Sequence, residues 1–255
     1  MDDLKEYLNK IYIKYKKKHS SKDPVWKLHE YSDRKDIEIL GLIISCFCYG
    51  RVDQINLFID QFLDQTSENV YEFTLNFDYV KDKKRIEKLY YRFNDHYDLA
   101  SLLNNIKAAI ISHGSLEKTF LKYYDKNDAN VINGLEGFTR ELRKSKHKNS
   151  KAYAYLIPNV LKSSTCKRLN LYLRWMVRQD EIDTGVWSKN ISPSKLIIPV
   201  DTHVYKIARQ LNLIQRKSCD LKFAIELTEK LKEFDPKDPV KYDFALCHIG
   251  IDKEG

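Results

Sequence analysis

Apolar residues recur at every third or fourth position along most of the chain, which is the spacing of one face of an α-helix. The first strong stripe predicts a helix from Ile37 to Cys48, capped by Asp33 or Asp36 and ended by Gly50. A second stripe, from Val52 to Phe62, follows at once and suggests an αα-hairpin. No segment of alternating polarity is longer than a few residues, so we predict an all-α protein.

The same reading places helices along the rest of the chain. Residues 1–31 predict a helical arm, and 66–150 continue with helical signals, including a helix that starts near Asp98 and closes at His113-Gly114. Asp220 and Asp238 predict the starts of the last two helices, the second of which stops at Gly250. The basic run from Arg140 to Lys151 lacks apolar spacing and is predicted to be an exposed loop, either solvated or in contact with phosphate.

The stretch from Lys167 to His203 contains a lysine and an aspartate, each at the start of a predicted helix. Lys167 begins a predicted helix whose buried face carries Leu169, Tyr172, Leu173 and Met176; its opposite face is polar and carries Lys167, Asn170, Arg174 and Arg178. A long connector follows at 179–199, which Trp187 is expected to anchor. Asp201 then stands where a second helix begins.

Composition narrows the class of protein. With 43% hydrophobic and 31% charged residues, the 255-residue chain belongs among globular proteins. A charged start and the lack of a long apolar run predict a cytoplasmic protein with no membrane partner. Its five cysteines include no C-x-x-C pair, so we expect no disulfide framework and no metal or iron-sulfur site.

The net charge of +8 and the pI near 9.0 are consistent with a polyanionic partner. Charge alone does not distinguish a nucleic-acid-binding protein from other proteins, because an A+T-rich genome also raises the lysine content. The chemistry that a lysine and an aspartate can do together is more specific. A deprotonated lysine can attack an electrophilic carbon and form an imine, and an aspartate can accept its proton or stabilise positive charge on a sugar. The simpler interpretation is a solvated lysine and an ordinary N-cap aspartate.

Two runs of sequence support the chemical interpretation. I-P-V-D-T-H-V-Y-K-I-A-R-Q-L-N-L resembles the helix-hairpin-helix glycosylases of the endonuclease III type, in which V-D-T-H-V carries the catalytic aspartate. By this resemblance Asp201 matches the aspartate and Lys167 is the best match for the catalytic lysine, with Lys162 as a rival. The run I-E-I-L-G-L-I-I-S-C-F-C-Y-G-R is similar to the opening hairpin of that fold, whose turn wedges into DNA, and K-Y-D-F-A-L-C-H-I-G to its closing helix.

A closer resemblance covers nearly the whole chain. K-R-L-N-L-Y-L-R-W-M-V-R, W-S-K-N-I-S-P-S-K-L-I-I-P-V-D-T-H-V and D-P-V-K-Y-D-F-A-L together resemble the DUF2400 group of uncharacterised bacterial proteins. Compared with endonuclease III, the glycine-rich hairpin before the lysine is replaced by residues 161–166, and the four-cysteine iron-sulfur loop is missing. The lysine and the aspartate lie 34 positions apart, a wide spacing that is shared by the archaeal 8-oxoguanine glycosylases.

The resemblance implies a single two-lobed helical unit with a cleft between its lobes, residues 36–165 forming one lobe and 1–35 with 166–255 the other. It implies a DNA glycosylase with AP lyase activity that acts in base excision repair as a monomer on duplex DNA, without a cofactor. By analogy with the archaeal relatives, the expected substrate is an oxidised purine. The alternative is a non-catalytic protein that binds DNA or another partner on the same fold. The catalytic residues would be Lys167 and Asp201. Further residues are expected to contact DNA: Tyr49, Arg51, Lys162, Arg174, Arg178 and His203.

Overall fold

Helices account for 65% of the protein in a computed structural model that describes residues 2–16, 22–66, 69–144, 150–162 and 165–254. Across these ranges there is no β-strand; two isolated bridges pair Tyr91 with Asn94 and Gln179 with Thr184. The prediction of an all-α protein is therefore confirmed. None of the described helices is both long and apolar enough to cross a membrane. Residues 17–21, in the predicted N-terminal arm, and 145–149, in the middle of the basic run, lie outside the described residues.

The chain divides into two compact units. The terminal unit joins residues 1–21, 129–131 and 163–255, and the central unit joins residues 22–128 and 132–162. Residues 22–35, which the sequence grouped with the terminal segments, belong to the central unit.

Eight α-helices are described in the central unit, together with 3-10 helices at Pro24–Glu30 and Val160–Lys162. The α-helices are α2 (Arg34–Phe47), α3 (Val52–Leu63), α4 (Val70–Asn76), α5 (Tyr79–Ile86), α6 (His96–His113), α7 (Leu116–Leu121), α8 (Ile132–Glu141) and α9 (Lys151–Leu156). The predicted hairpin of α2 and α3 is present. Arg140 and Lys151, the two ends of the predicted basic loop, lie in helices α8 and α9.

Helix α2 is the core of the central unit, because every residue from Asp36 to Phe47 is buried. It packs against α3, α4 and α7. Its two buried carboxylates have partners, as buried charges must. Asp36 accepts a hydrogen bond from the Tyr71 backbone N–H at 2.8 Å, and Glu38 pairs with Arg34 at 3.1 Å while accepting the Leu116 N–H at 3.2 Å.

Aspartates mark helix starts, as the sequence predicts. In α2 and α6 two aspartates lie three residues apart, and the structure shows which of them is the N-cap. Asp33 is the N-cap of α2 and accepts the Lys35 N–H at 2.8 Å, whereas Asp36 lies in the first turn. In α6 the predicted start at Asp98 is three residues late. Asp95 is the N-cap, and Asp98 completes a capping box that satisfies an N–H group on each side.

The terminal unit contains α1 (Asp2–Tyr15), α10 (Lys167–Val177), α11 (Thr202–Gln210), α12 (Leu221–Lys232) and α13 (Tyr242–Glu254), with 3-10 helices at Pro193–Lys195 and Pro239–Lys241. Helix α13 packs against both α1 and α11. It continues past Gly250, where the sequence predicted its end. Gly250 is needed for packing and does not end the helix: a Cβ atom there would lie 2.7 Å from Cβ of His203 on α11.

The connector between α10 and α11 is held down by Trp187, as predicted. The indole is fully buried and meets the ring of Tyr172 edge-on, with ring centres 5.3 Å apart. The backbone N–H of Trp187 donates to the carbonyl of Met176 at 2.6 Å. These contacts return the chain to the end of α10, so the connector can deliver Asp201 to a defined place.

Candidate functional site

Lys167 is the first residue of α10. The helix forms because Leu169, Tyr172, Leu173 and Met176 repeat at helical spacing and are all buried. The residue before it, Cys166, has φ 53° and ψ 33°, in the left-handed region that usually favours glycine. Its buried side chain makes no capping hydrogen bond, so α10 begins without a side-chain cap. The result is a sharp entry that leaves the Lys167 side chain 35% exposed.

Asp201 is the N-cap of α11. Its Oδ1 accepts the backbone N–H of Val204 at 2.9 Å, which satisfies one of the unpaired donors of the first turn. Pinning one carboxylate oxygen fixes the direction of the other. The side chain is 20% exposed, so Oδ2 remains accessible.

A buried hydrogen bond joins the segments that carry the two residues. The hydroxyl of Thr165, two positions before Lys167, donates to the carbonyl of Val200, one position before Asp201, at 2.7 Å. The carbonyl of Thr165 accepts the side-chain amide of Asn170 at 3.1 Å, which ties the same turn to the first turns of α10. We call this pair of hydrogen bonds the Thr165 clamp.

The clamp brings the predicted pair together. Nζ of Lys167 lies 3.4 Å from Oδ2 of Asp201, although the residues are 34 positions apart in the sequence. An ion pair that is this exposed contributes only about 0.2–1 kcal/mol to stability. The lysine is therefore held close to a proton acceptor without being locked to it.

A second carboxylate, on Asp243 of α13, lies within electrostatic range of the Lys167–Asp201 pair. It is buried and accepts a charge-assisted hydrogen bond from Arg174. Burial raises the pKa of Asp243 to about 6, the Arg174 guanidinium opposes that rise, Asp201 adds to it and Lys167 opposes it. The protonation of Asp243 is thus coupled to the charges of both site residues.

Arg174 and Arg178, which the sequence places on the polar face of α10 and among the residues expected to contact DNA, are buried. Arg174 is 2% exposed and pairs with Asp183 at 3.2 Å as well as with Asp243; Arg178 is 3% exposed and pairs with Asp180 at 2.9 Å. Asp183 and Asp238 also bind Arg178. Both guanidinium groups thus fill the interior of the terminal unit, where they neutralise buried carboxylates, so the expectation that they contact DNA phosphates is dropped.

The remaining predicted residues lie in different surroundings. His203 belongs to the terminal unit, in the first turn of α11, and packs on Gly250. Tyr49, Arg51 and Lys162 belong to the central unit. Arg51 is 81% exposed in its side chain, and Lys162 is exposed at the end of its 3-10 helix. Of the two rival lysines, it is Lys167 whose ammonium group lies against Asp201.

Thr165 and Asp243 were not singled out from the sequence. Thr165 follows two residues that lie outside the described ranges and belongs to no helix, so periodicity gives it no role. Asp243 looks like a polar residue in the first turn of a helix, where an acid is common. Its burial depends on Arg174, 69 positions earlier. Only the motif K-Y-D-F-A-L, quoted above for its resemblance, could have drawn attention to it.

Within the described ranges, no group of three or more histidine, cysteine, aspartate or glutamate side chains could hold a metal ion. Lys167 and Asp201 themselves are the groups at this site that could do chemistry.

Comparison with known proteins gives one match. The model of the family described as "Protein of unknown function (DUF2400)" matches residues 23–252. Searches of curated proteins and of solved structures gave no match. The narrower resemblance to helix-hairpin-helix glycosylases stays a prediction. The matched region contains Lys167, Asp201, Thr165 and Asp243, and it covers far more than half of the sequence. The protein is therefore a member of the DUF2400 family.

Proposed function

We propose that the protein is a DNA glycosylase with AP lyase activity, in which Lys167 is the nucleophile and Asp201 its partner. The observation that supports this most strongly is the 3.4 Å approach of Lys167 Nζ to Asp201 Oδ2, between two partly exposed side chains at the starts of two helices. These are the two residues that the resemblance to glycosylases singles out. A buried clamp that positions both segments is more than an ordinary surface ion pair requires.

The pair is suited to the first step of the reaction. Asp201 accepts a proton from the Lys167 ammonium, which frees the lone pair of the amine. That lone pair forms a bond to C1′ of the damaged nucleotide while the C1′–N bond to the base breaks, and the base leaves with the bonding electrons and takes up a proton. Asp201, again ionised, stabilises the positive charge that develops on the sugar.

The lyase step follows from the same covalent bond. Opening of the sugar ring converts the adduct into an imine between Lys167 and C1′. The imine makes the proton on C2′ acidic, and its loss expels the 3′ phosphate oxygen, which cuts the strand. Water then releases Lys167 from the product. By the resemblance to the archaeal enzymes, an oxidised purine is the substrate to test first.

Duplex DNA is the partner in this proposal. The protein carries a net charge of +8, and Arg51 and Lys162 present exposed cations that can replace counterions on the phosphate backbone. The target base would be flipped out of the helix, because C1′ cannot be reached from the stacked state. The role implied in the cell is base excision repair by a monomer.

The test is reductive trapping. The protein is incubated with borohydride and duplexes that contain an oxidised, an alkylated or a deaminated base, or an abasic site. We expect a covalent protein–DNA adduct with at least one of them. Lys167→Gln should abolish the adduct, and Asp201→Asn should slow its formation by about 100-fold or more while the N-cap is kept, because asparagine also caps well.

Lys162→Gln tests the rival lysine. It removes an exposed cation of the central unit and should weaken duplex binding by about one phosphate contact, but at saturating duplex the adduct should still form. Loss of the adduct in Lys162→Gln but not in Lys167→Gln would move the nucleophile and contradict the assignment. DNA binding with no adduct and no base release on any of these duplexes would favour a non-catalytic DNA-binding protein.

A further inference from the structure

Two turns of the central unit are interlocked at its surface. The first turn, at 48–51, joins α2 to α3, and the second, at 89–95, joins α5 to α6. The hydroxyl of Tyr49 donates to the side-chain carbonyl of Asn94, and the hydroxyl of Tyr91 donates to the backbone carbonyl of Tyr49. Gly50, at φ +91°, lets the turns meet, because a Cβ atom there would lie 2.7 Å from Nη1 of Arg92. Each turn thus holds the other in shape.

The interlocked turns present aromatic rings to solvent. Phe93 stacks on Tyr49 with ring centres 5.5 Å apart, and Tyr155 meets the same ring edge-on at 5.1 Å. Phe93 is 54% exposed, Tyr155 43% and Tyr90 74%. Single exposed aromatic residues need no explanation, but several on one surface mark a place where something binds.

A cavity of about 360 Å³ opens beside these rings. It is lined by three cationic side chains, Arg51, Lys88 and Arg92, and by the ring of Tyr90. Gln54 and Gln61 from α3 add amide groups that can both donate and accept hydrogen bonds. The described residues that line it include no carboxylate, so the cavity suits an anion with a flat apolar part.

A nucleotide has both features, and its volume fits a cavity of this size. In a duplex the base faces are already stacked on one another, so exposed protein rings can stack only on the bases of an unpaired strand. Lipid head groups and phosphopeptides would use the cations but would leave the ring faces and the two glutamines without partners.

We propose that this surface is a binding site for a single-stranded nucleic acid. One base stacks on Tyr90 in the cavity and a neighbouring base on Phe93, while Arg51, Lys88 and Arg92 contact the phosphates between them. Gln54 and Gln61 face the edge of the base held in the cavity. The site lies within the central unit, and it does not depend on the chemistry proposed for Lys167 and Asp201, which belong to the terminal unit.

The test measures the anisotropy of a fluorescent 12-nucleotide oligo(dT) at several salt concentrations, alongside a duplex of the same length. Stacking and charge contribute separately to the affinity for oligo(dT), because only the charge contribution depends on salt. Tyr90→Leu should weaken oligo(dT) binding about tenfold with no change in its salt dependence, because stacking is not a counterion effect. The double variant Arg51→Gln/Lys88→Gln should lower the slope of log K against log salt by about 1.4, since each phosphate contact on a single strand contributes about 0.7.

The double variant Lys83→Gln/Lys126→Gln is the matched control. It removes the same net charge from exposed positions of the central unit that do not line the cavity. We expect less than about a twofold loss of affinity, whereas general attraction to a basic protein would weaken both double variants equally. Lys167→Gln should bind oligo(dT) as the wild type does, which separates this site from the proposed catalysis.

Three results would overturn the proposal: no measurable binding of oligo(dT), equal losses in the two double variants, or a Tyr90→Leu protein that binds like the wild type. Preference for the duplex, with the same dependence on Tyr90, would also contradict a site for unpaired strands. The side chains substituted in the Tyr90 variant and in both double variants are exposed, and that of Lys167 is 35% exposed, so matching thermal unfolding curves are expected and serve as the check on folding.

Discussion

Replacing Thr165 with valine tests whether the Thr165 clamp positions the proposed site. Valine has nearly the shape of threonine but lacks the hydroxyl that donates to the Val200 carbonyl at 2.7 Å. Both residues are buried, so water cannot replace the lost donor without entering the interior. A buried acceptor that loses its partner costs about 1–3 kcal/mol, and we expect the free energy of unfolding to fall by that amount.

A second effect should appear at the site itself. Without the clamp, the turn before Lys167 and the residues before Asp201 can move apart, which weakens the ion pair between them. An ion pair of this exposure contributes about 0.2–1 kcal/mol, so its loss should raise the population of a released lysine side chain by about 1.4- to 5-fold. Urea unfolding followed by circular dichroism measures the first effect, and the rate of acylation of Lys167, followed by mass spectrometry, measures the second.

Two other variants act as controls. Thr165→Ser keeps the hydroxyl and loses a methyl group, so it should cost about 1 kcal/mol and leave Lys167 labelling unchanged. Thr119→Val removes a buried hydroxyl in the central unit, but its acceptor, the Ser115 carbonyl, keeps the backbone N–H of Thr119 at 3.0 Å; it should cost less than about 1 kcal/mol and leave Lys167 unaffected. A Thr165→Val protein with wild-type stability, or one with unchanged Lys167 reactivity, would refute the clamp.

Two further predictions concern α13. Gly250→Ala should lower the free energy of unfolding by about 1–2 kcal/mol, although alanine favours helices, because the new methyl group meets Cβ of His203 at 2.7 Å; urea unfolding checks this, and a stabilised variant would contradict it. Asp243 has a pKa of about 6 when folded, against an ordinary value of 3.8, because burial disfavours its charged form. The folded protein therefore binds more protons between these values, and stability rises as pH falls from 6 to 3.8. Relative to Asp243→Asn, which does not titrate there, the wild type should gain up to about 3 kcal/mol across that window, and parallel stability curves would refute the assignment.

The sequence predicted correctly those features that depend on residues within a single helix. Apolar spacing located most helices, and Asp201 was identified as an N-cap because capping is a local property of a few consecutive residues. The error at Asp98 has the same origin: Asp95 and Asp98 can each begin a helix, and the structure uses both in one capping box. The local signals there predicted a helix start correctly but placed it three residues too late.

The sequence could not show which polar faces are covered by distant parts of the chain. Arg174 and Arg178 lie opposite the apolar stripe of α10, and on a surface helix that face would meet water. Here Asp183 and Asp243 reach it from the connector and from α13. Sequence pattern gives the direction of a side chain around its own helix, whereas burial depends on what packs against that face.

The contact between helices α1 and α13 affects how the chain can fold while it is being synthesised. Helix α1 is translated before the segments that it contacts. Asn9 accepts a hydrogen bond from Tyr242, 233 positions later, and Tyr12 donates to Asp180. The central unit, from 22 to 162 apart from three residues, can form its core while the ribosome is still working. Helix α1 has to wait with its Leu8 side chain exposed until α13 emerges. We therefore expect nascent chains stalled before α13 to present α1 to chaperones, and the terminal unit to fold only once α13 has been synthesised.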